Sequence, residues 1–95
     1  MKQHEEYELI HRIATRAFNI LTGMDGIDLR LPKMRIVMDL DVCHEHRPLD
    51  LAGLLEARPG DLLHDVTGIA AHLDQDTGQL RDCFAPRYAL NQGCS

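Results

Sequence analysis

Cysteine and histidine side chains in the middle of the chain are the residues whose types and spacing could bind a metal ion. In the segment 43–46 a cysteine and a histidine stand three residues apart, and on a helix that spacing can direct two ligands at one ion. Structural zinc sites usually have two close ligand pairs, and this sequence has one. We therefore expect no bound metal. The alternative is a small zinc-binding protein with the ligands Cys43, His46, His64 and Cys83.

Other motifs that could carry chemistry are incomplete. The doublet His64-Asp65 is typical of metal phosphohydrolases, but those sites need further ligands on a larger scaffold. Residues 74–78 begin like a calcium-binding loop, yet Phe84 stands where the bidentate glutamate would be required. The only serine is the last residue, Ser95, where it is poorly placed for nucleophilic catalysis. We expect no catalytic residue, no enzymatic activity and no cofactor.

Charge and hydropathy exclude several classes of partner. The net charge is −5, and the ten basic residues are scattered, whereas nucleic-acid binding depends on clustered lysines and arginines. No apolar stretch approaches the ~20 residues that span a bilayer, and the polar, acidic amino terminus is unlike a secretory signal. Three cysteines, an odd number without paired spacing, suit a reducing compartment. We expect a soluble cytoplasmic protein that binds neither nucleic acid nor membrane.

The elements that must position these residues begin with one clear helix, predicted over residues 4–22. Its apolar residues recur at steps of three and four, which forms one stripe along the helix. The stripe consists of Tyr7, Ile10, Ile13, Ala14, Ala17, Phe18 and Leu21. Gly23 can end the helix, and residues 24–32 are predicted to form a connecting loop.

In the next segment, residues 33–46, the spacing of the apolar residues fits both a strand and a helix. Met34, Ile36 and Met38 alternate as in a strand, whereas Ile36, Leu40 and Cys43 fit one face of a helix. The segment is long for a strand, so we predict a helix and keep the strand as the alternative.

Later elements are predicted to be shorter. Residues 48–58 should form a short helix capped by Asp50, and Asp61 should cap a following helix. Gly68 could lie inside a longer helix that carries Ile69 and Leu73 on its apolar stripe, but the turn residues that follow favour a helix that ends at Gly68. Residues 69–85 are then predicted to form a hairpin around the turn 74–78. From Pro86 onward the chain should be poorly ordered.

The predicted architecture is one domain over residues 1–89, with a core segment 33–74 and a flexible tail 90–95, since 95 residues leave no room for two cores. Its fold class is α+β, predominantly helical, with three to four short helices and a small carboxy-terminal β-hairpin. The alternative is an all-α bundle.

A series of short motifs follows the first third of the chain. They are Met38-Asp39-Leu40, Cys43-His44, Pro48-Leu49, His64-Asp65-Val66, Gly68-Ile69, His72-Leu73-Asp74, Thr77-Gly78, Asp82-Cys83-Phe84 and Pro86-Arg87-Tyr88-Ala89. In this pattern the stretch from Met38 to Ala89 resembles a family of small uncharacterised proteins of bacteriophages and prophages. The resemblance implies a phage or prophage origin in a bacterial cytoplasm. It assigns no catalytic or binding residue, and the amino-terminal helix lies outside it.

The function that these patterns favour is protein binding. With few aromatic residues and a thin core, the domain gains stability by burying its first helical stripe against another chain. We predict a non-enzymatic phage or prophage accessory protein that binds a protein partner, either a second copy of itself as a homodimer or another protein. The predicted contact residues are Tyr7, Ile10, Ala14 and Phe18.

Overall fold

A computed structural model describes residues 2–23, 33–81 and 86–90. Within these ranges the chain forms four helices: α1 (Lys2–Thr22), α2 (Lys33–His46), α3 (Leu51–Glu56) and α4 (Pro59–His72). Helix α1 packs against the other three, and α2 also packs against α4. The described part of the chain is therefore an all-α fold arranged around α1. The predicted loop 24–32 lies outside the described residues.

The first predicted helix is confirmed. Ile13, Ala14 and Ala17 are completely buried, because the stripe at steps of three and four faces the other helices. The helix ends at Thr22, and the N–H of Gly23 donates to the carbonyl oxygens of Asn19 and Ile20, both at 3.2 Å. The stripe thus builds the centre of the monomer core.

The predicted helix over residues 33–46 is also confirmed, by α2. Ile36, Leu40 and Cys43 are buried at steps of three and four residues, whereas Met34 and Met38 are exposed. An alternating strand would have placed both methionines on the same face as Ile36. Helix α2 therefore presents one aliphatic face to the core and a methionine-bearing face to solvent.

Helix α3 begins at the predicted cap. Asp50 Oδ1 accepts a hydrogen bond from the N–H of Gly53 at 3.1 Å, which satisfies a donor that has no partner inside the helix. The predicted cap of the next helix is wrong, because the N-cap of α4 is Arg58 and Asp61 lies inside the first turn. Pro59 starts α4, where its missing N–H costs nothing.

The predicted end of α4 at Gly68 is wrong, because the helix continues to His72. Glycine inside a helix costs about 1 kcal/mol relative to alanine. Ile69 is fully buried on the α4 face that contacts the core, and burial of such a side chain stabilises by about 1.5–3 kcal/mol. Packing of Ile69 therefore outweighs the low helix propensity of Gly68.

The predicted β-hairpin over residues 69–85 is wrong, and so is the α+β class, since the described residues contain no β-strand. Because α4 takes the chain as far as His72, only Leu73 remains to pair on the amino-terminal side of the turn. It forms a single isolated antiparallel bridge with Leu80. The fold is thus the all-α alternative. Residues 82–85, the end of the predicted hairpin, lie outside the described residues.

The turn within that segment does form. The carbonyl oxygen of Asp74 accepts from the N–H of Gly78 at 2.7 Å, and Asp74 Oδ1 accepts from the N–H of Asp76 at 2.8 Å. Gly78 has a φ of +70°, a conformation that glycine adopts without steric cost. Aspartate and glycine therefore make a tight turn here without flanking strands.

The expectation that the chain is poorly ordered from Pro86 onward is wrong for residues 86–90. Pro86 is buried, and Leu49 and Ala89 form an isolated antiparallel bridge. The N–H of Leu90 donates to the carbonyl oxygen of Pro48 at 2.8 Å. This segment is therefore attached to the start of α3. The remainder of the predicted tail, residues 91–95, lies outside the described residues.

The core is built from aliphatic side chains of all four helices. Its largest fully buried apolar members are Ile10, Ile13, Ile36, Leu40, Leu49, Leu54, Leu62, Ile69 and Val66. Phe18 and Tyr88 are partly buried at its edge. None of the helices in the described ranges is long and apolar enough to cross a membrane.

Candidate partner-binding cleft

The four predicted partner-contact residues occupy different environments. Ile10 and Ala14 are 1% and 0% exposed, and Phe18 is partly buried against the core. Tyr7 is 48% exposed. The monomer core therefore takes up most of the predicted contact stripe, and Tyr7 is the residue of the four that a partner could reach most readily.

Of the four alternative metal ligands, the three that the structure describes do not form a metal-binding group. Cys43 is completely buried in the core, and burial raises the pKa of its thiol to about 11, which disfavours the thiolate that binds metals. His46 and His64 are exposed on α2 and α4, and Cys83 lies outside the described residues. The described residues hold no group of three or more histidine, cysteine, aspartate or glutamate side chains that could bind a metal ion.

The aspartate of the His64-Asp65 doublet has a structural role that the sequence motifs did not indicate. Asp65 is completely buried, and its Oδ1 and Oδ2 accept from the backbone N–H groups of Arg87 at 3.2 Å and Tyr88 at 3.3 Å. Burial raises the pKa of Asp65, and these two hydrogen bonds partly oppose that effect. Both carboxylate oxygens therefore hold residues 86–90 against α4.

A cleft lies where the start of α1 meets the end of α2. It has a volume of about 410 Å³, which is within the size range of ligand-binding pockets. We call it the α1–α2 cleft, and it is lined by His4, Glu6, Tyr7, Ile10, Asp41, His44 and Glu45. Helical spacing places these side chains together, since residues three and four apart share a face.

His44 connects the two helices of the cleft and the chain that follows α2. Its Nδ1 accepts from the backbone N–H of Leu49 at 3.0 Å, so the ring proton lies on Nε2. That Nε2–H donates to Glu6 Oε2 at 3.3 Å. Both ring nitrogens of His44 are therefore engaged, and the Glu6 side chain is directed towards α2.

The electrostatic character of the cleft is acidic. Three carboxyl side chains line it, from Glu6, Asp41 and Glu45, and no lysine or arginine is among its described lining residues. The exposed ring of Tyr7 lies beside them and makes an edge-to-face contact with His11, with ring centroids 4.4 Å apart. Carboxylates and an aromatic face attract cations, so this arrangement can bind lysine or arginine side chains.

The sequence patterns indicated Tyr7 and missed the other polar residues of the cleft. In the sequence Glu5 and Glu6 fit a solvated face of α1. His44 lies in the segment 43–46, but it is not one of the two candidate metal ligands of that segment, Cys43 and His46. The Glu6–His44 contact joins residues 38 apart in the chain. No pattern in a short stretch of sequence predicts a contact between residues so far apart in the chain.

Comparison with known proteins gives a family for the chain. Residues 5–90 match the model of a family of unknown function, DUF6874. No curated protein and no solved structure matches significantly. The family match includes α1, so the interpretation that the amino-terminal helix lies outside the family pattern is wrong. The chain therefore belongs to the DUF6874 family of unknown function.

Proposed function

We propose that this protein is a non-enzymatic binding module that holds a basic segment of another protein in the α1–α2 cleft. The observation that carries the proposal is the lining of the cleft, which contains three carboxyl side chains and an exposed tyrosine. The proposal includes a role as a phage or prophage accessory protein in a bacterial cytoplasm. That setting rests on the resemblance of residues 38–89.

Charge complementarity supports a basic partner. The net charge of −5 attracts cationic chains from a distance and accelerates their encounter with the acidic cleft. At short range, Asp41 and Glu45 are exposed and can pair with cationic side chains, and Tyr7 offers a ring face. The partner segment is therefore expected to carry several lysines or arginines.

The engagement of the polar groups supports binding over catalysis. Both ring nitrogens of His44 and both carboxylate oxygens of Asp65 accept or donate hydrogen bonds inside the fold. The raised pKa of Cys43 keeps its thiol protonated at neutral pH. A general base or nucleophile made from these groups would first have to break the contacts that hold the fold together.

A partner of different sequence suits the cleft better than a second copy. Two copies meeting through this face would bring their carboxylates together, and like charges repel. Ile10 and Ala14 could contact another copy only if the core opened. The homodimer predicted from the stripe is the competing outcome, and sedimentation of the purified protein distinguishes it.

Nuclear magnetic resonance with a model cation tests the proposal. Hexalysine added to ¹⁵N-labelled protein should shift the amide signals of Tyr7, Asp41 and Glu45 in a salt-dependent way, and hexaglutamate should not. Signals of α3 and α4 serve as the internal control. Equal shifts with both peptides, or hexalysine shifts confined to other surfaces, would contradict the proposal.

A further inference from the structure

A buried carboxylate on α2 has one oxygen that no described part of the protein uses. Asp39 is 3% exposed, and its Oδ1 accepts from Arg35 Nε at 3.0 Å. Its Oδ2 has no hydrogen-bond partner, and within the described ranges no other buried side-chain nitrogen or oxygen is left in this way. A buried acceptor without a donor lowers stability, so its retention calls for an explanation.

Asp39 lines a small groove between α2 and the turn that follows α4. We call it the α2–turn groove, and its lining includes Arg35, Met38, Asp39, Val42, Leu73, Asp74 and Gly78. Its volume is about 140 Å³. Small-molecule sites usually measure ~300–1,000 Å³, so this groove has room for a single side chain and not for a whole ligand.

The lining of the groove combines apolar walls with negative charge. Met38 and Val42 come from α2, and Leu73 comes from the end of α4. Asp74 adds a second carboxyl group, and hydrogen bonds from the N–H groups of Asp76 and Thr77 lower its pKa, so it is ionised at neutral pH. Arg35 also lines the groove, where its guanidinium is bonded to Asp39 Oδ1, so one cation offsets part of the negative charge of the two carboxyl groups.

We propose that the α2–turn groove binds one arginine side chain of a partner protein, whose guanidinium N–H group donates to Asp39 Oδ2 while its methylene groups lie against Met38 and Val42. Because Asp39 Oδ2 is buried in the free protein, this contact requires the side chains that line the groove to shift as the arginine enters. Arginine suits the site because its guanidinium is more weakly hydrated than an ammonium group and loses less on burial. Met38, which is 61% exposed, can adapt its unbranched thioether chain to the incoming stem. This inference rests on Asp39 and is independent of the α1–α2 cleft.

The probe for this site is N-acetyl-arginine-N-methylamide, and its matched control is the citrulline derivative, which has nearly the same shape without the charge. In the ¹⁵N-labelled wild-type protein, the arginine probe should shift the amide signals of Asp39, Val42 and Gly78. Citrulline should bind at least about tenfold more weakly, because the contact to Oδ2 would no longer be charge-assisted. Equal shifts with the two probes, or none with either, would overturn the proposal.

Two further measurements separate a binding role from a structural one. Asp39→Asn should weaken binding of the arginine probe by about tenfold or more, whereas Asp76→Asn, an equal loss of charge in the same turn region but outside the groove lining, should leave it unchanged. In the wild-type protein, the arginine probe should also lower the pKa of the Asp39 carboxyl group, followed through its ¹³C signal. An unaltered pKa, or equal binding by Asp39→Asn, would contradict the proposal. The wild-type titration decides the question even if the variant fails to fold.

Discussion

His44 Nε2 lies 3.3 Å from Glu6 Oε2, while Nδ1 of the same ring accepts the backbone N–H of Leu49. One side chain thus joins the start of α1, the end of α2 and the chain that leads into α3. The same contacts hold Glu6, one of the three acidic side chains that line the α1–α2 cleft, against α2. The cleft is therefore part of the stable fold.

Replacement of His44 by alanine should lower the free energy of unfolding by about 1–3 kcal/mol, because the N–H of the buried Leu49 would lose its acceptor. The matched control is His46→Ala, which removes an exposed histidine at the end of the same helix and should change stability by less than about 0.5 kcal/mol. Urea denaturation followed by circular dichroism measures both. Equal effects of the two substitutions would show that the Leu49 contact does not stabilise the fold.

Two glycines should respond in opposite directions to alanine. At Gly53 an added Cβ would collide with the carboxylate of Asp50 and lie 3.1 Å from Tyr88 Cδ1, so Gly53→Ala should disturb the α3 cap and cost about 0.5–2 kcal/mol. At Gly60 an added Cβ would meet no atom within 4 Å outside its chain neighbours and the backbone of its own helix, so Gly60→Ala should stabilise by about 0.4–1 kcal/mol. Melting temperatures check the signs, and a stabilising Gly53→Ala would refute the cap geometry.

Asp65→Asn should loosen residues 86–90. Asparagine has one side-chain oxygen, so it can no longer accept from Arg87 and Tyr88 with separate atoms, and we expect a loss of about 1–3 kcal/mol. Hydrogen exchange at those two amides should become faster. Asp61→Asn, which removes only a partly exposed ion pair with Arg87 at 3.6 Å, should cost less than about 1 kcal/mol. Unchanged exchange in Asp65→Asn would contradict the role of Asp65.

Asp39 should make stability depend on pH with an unusual sign. Burial raises its pKa above the ordinary value of 3.8, although the Arg35 guanidinium opposes the shift. Between 3.8 and that raised pKa the folded protein keeps a proton that the unfolded chain has lost, so folding is weakened as the pH rises. The stabilisation that comes from the protonated Asp39 is fully present below pH 3.8 and is lost as the pH rises through the folded-state pKa.

The variant Asp39→Asn does not titrate at this position and isolates the effect. The free energy of unfolding of the wild type minus that of Asp39→Asn should fall as the pH rises through this window and then stay level. Chemical denaturation at a series of pH values measures the difference. A difference that grows with pH would indicate a lowered pKa and would contradict the assignment.

Sequence patterns correctly predicted the structural features that depend on residues close together in the chain. The stripe of α1, the Asp50 cap and the turn at Gly78 each depend on residues close in sequence, and all three are present. The end of α4 was misplaced because the burial of Ile69 decides it, and that burial requires the whole core. Site residues were missed for the same reason, since no local spacing encodes the contact of Glu6 with His44.

The same limit applies to the aspartates. In the sequence Asp65 stands out only as half of an incomplete metal-phosphohydrolase doublet, whereas its hydrogen-bond partners lie 22 and 23 residues later in the chain. Asp39 stands three residues after Ile36 and four before Cys43, on the buried face of α2, and only the packing of the turn after α4 against α2 shows that it lines a groove. Long-range packing, which one sequence does not encode in any short window, determines both roles.

The affinity for hexalysine of two charge-matched double variants tests the central claim most directly. Asp41→Asn with Glu45→Gln removes two charges from the α1–α2 cleft, and Glu56→Gln with Asp76→Asn removes two from exposed positions outside it. Titration calorimetry at low salt should show about tenfold or greater weakening for the cleft variant and little change for the control. Equal affinities in the two variants would show that hexalysine responds only to net charge, and would contradict a specific site in the cleft.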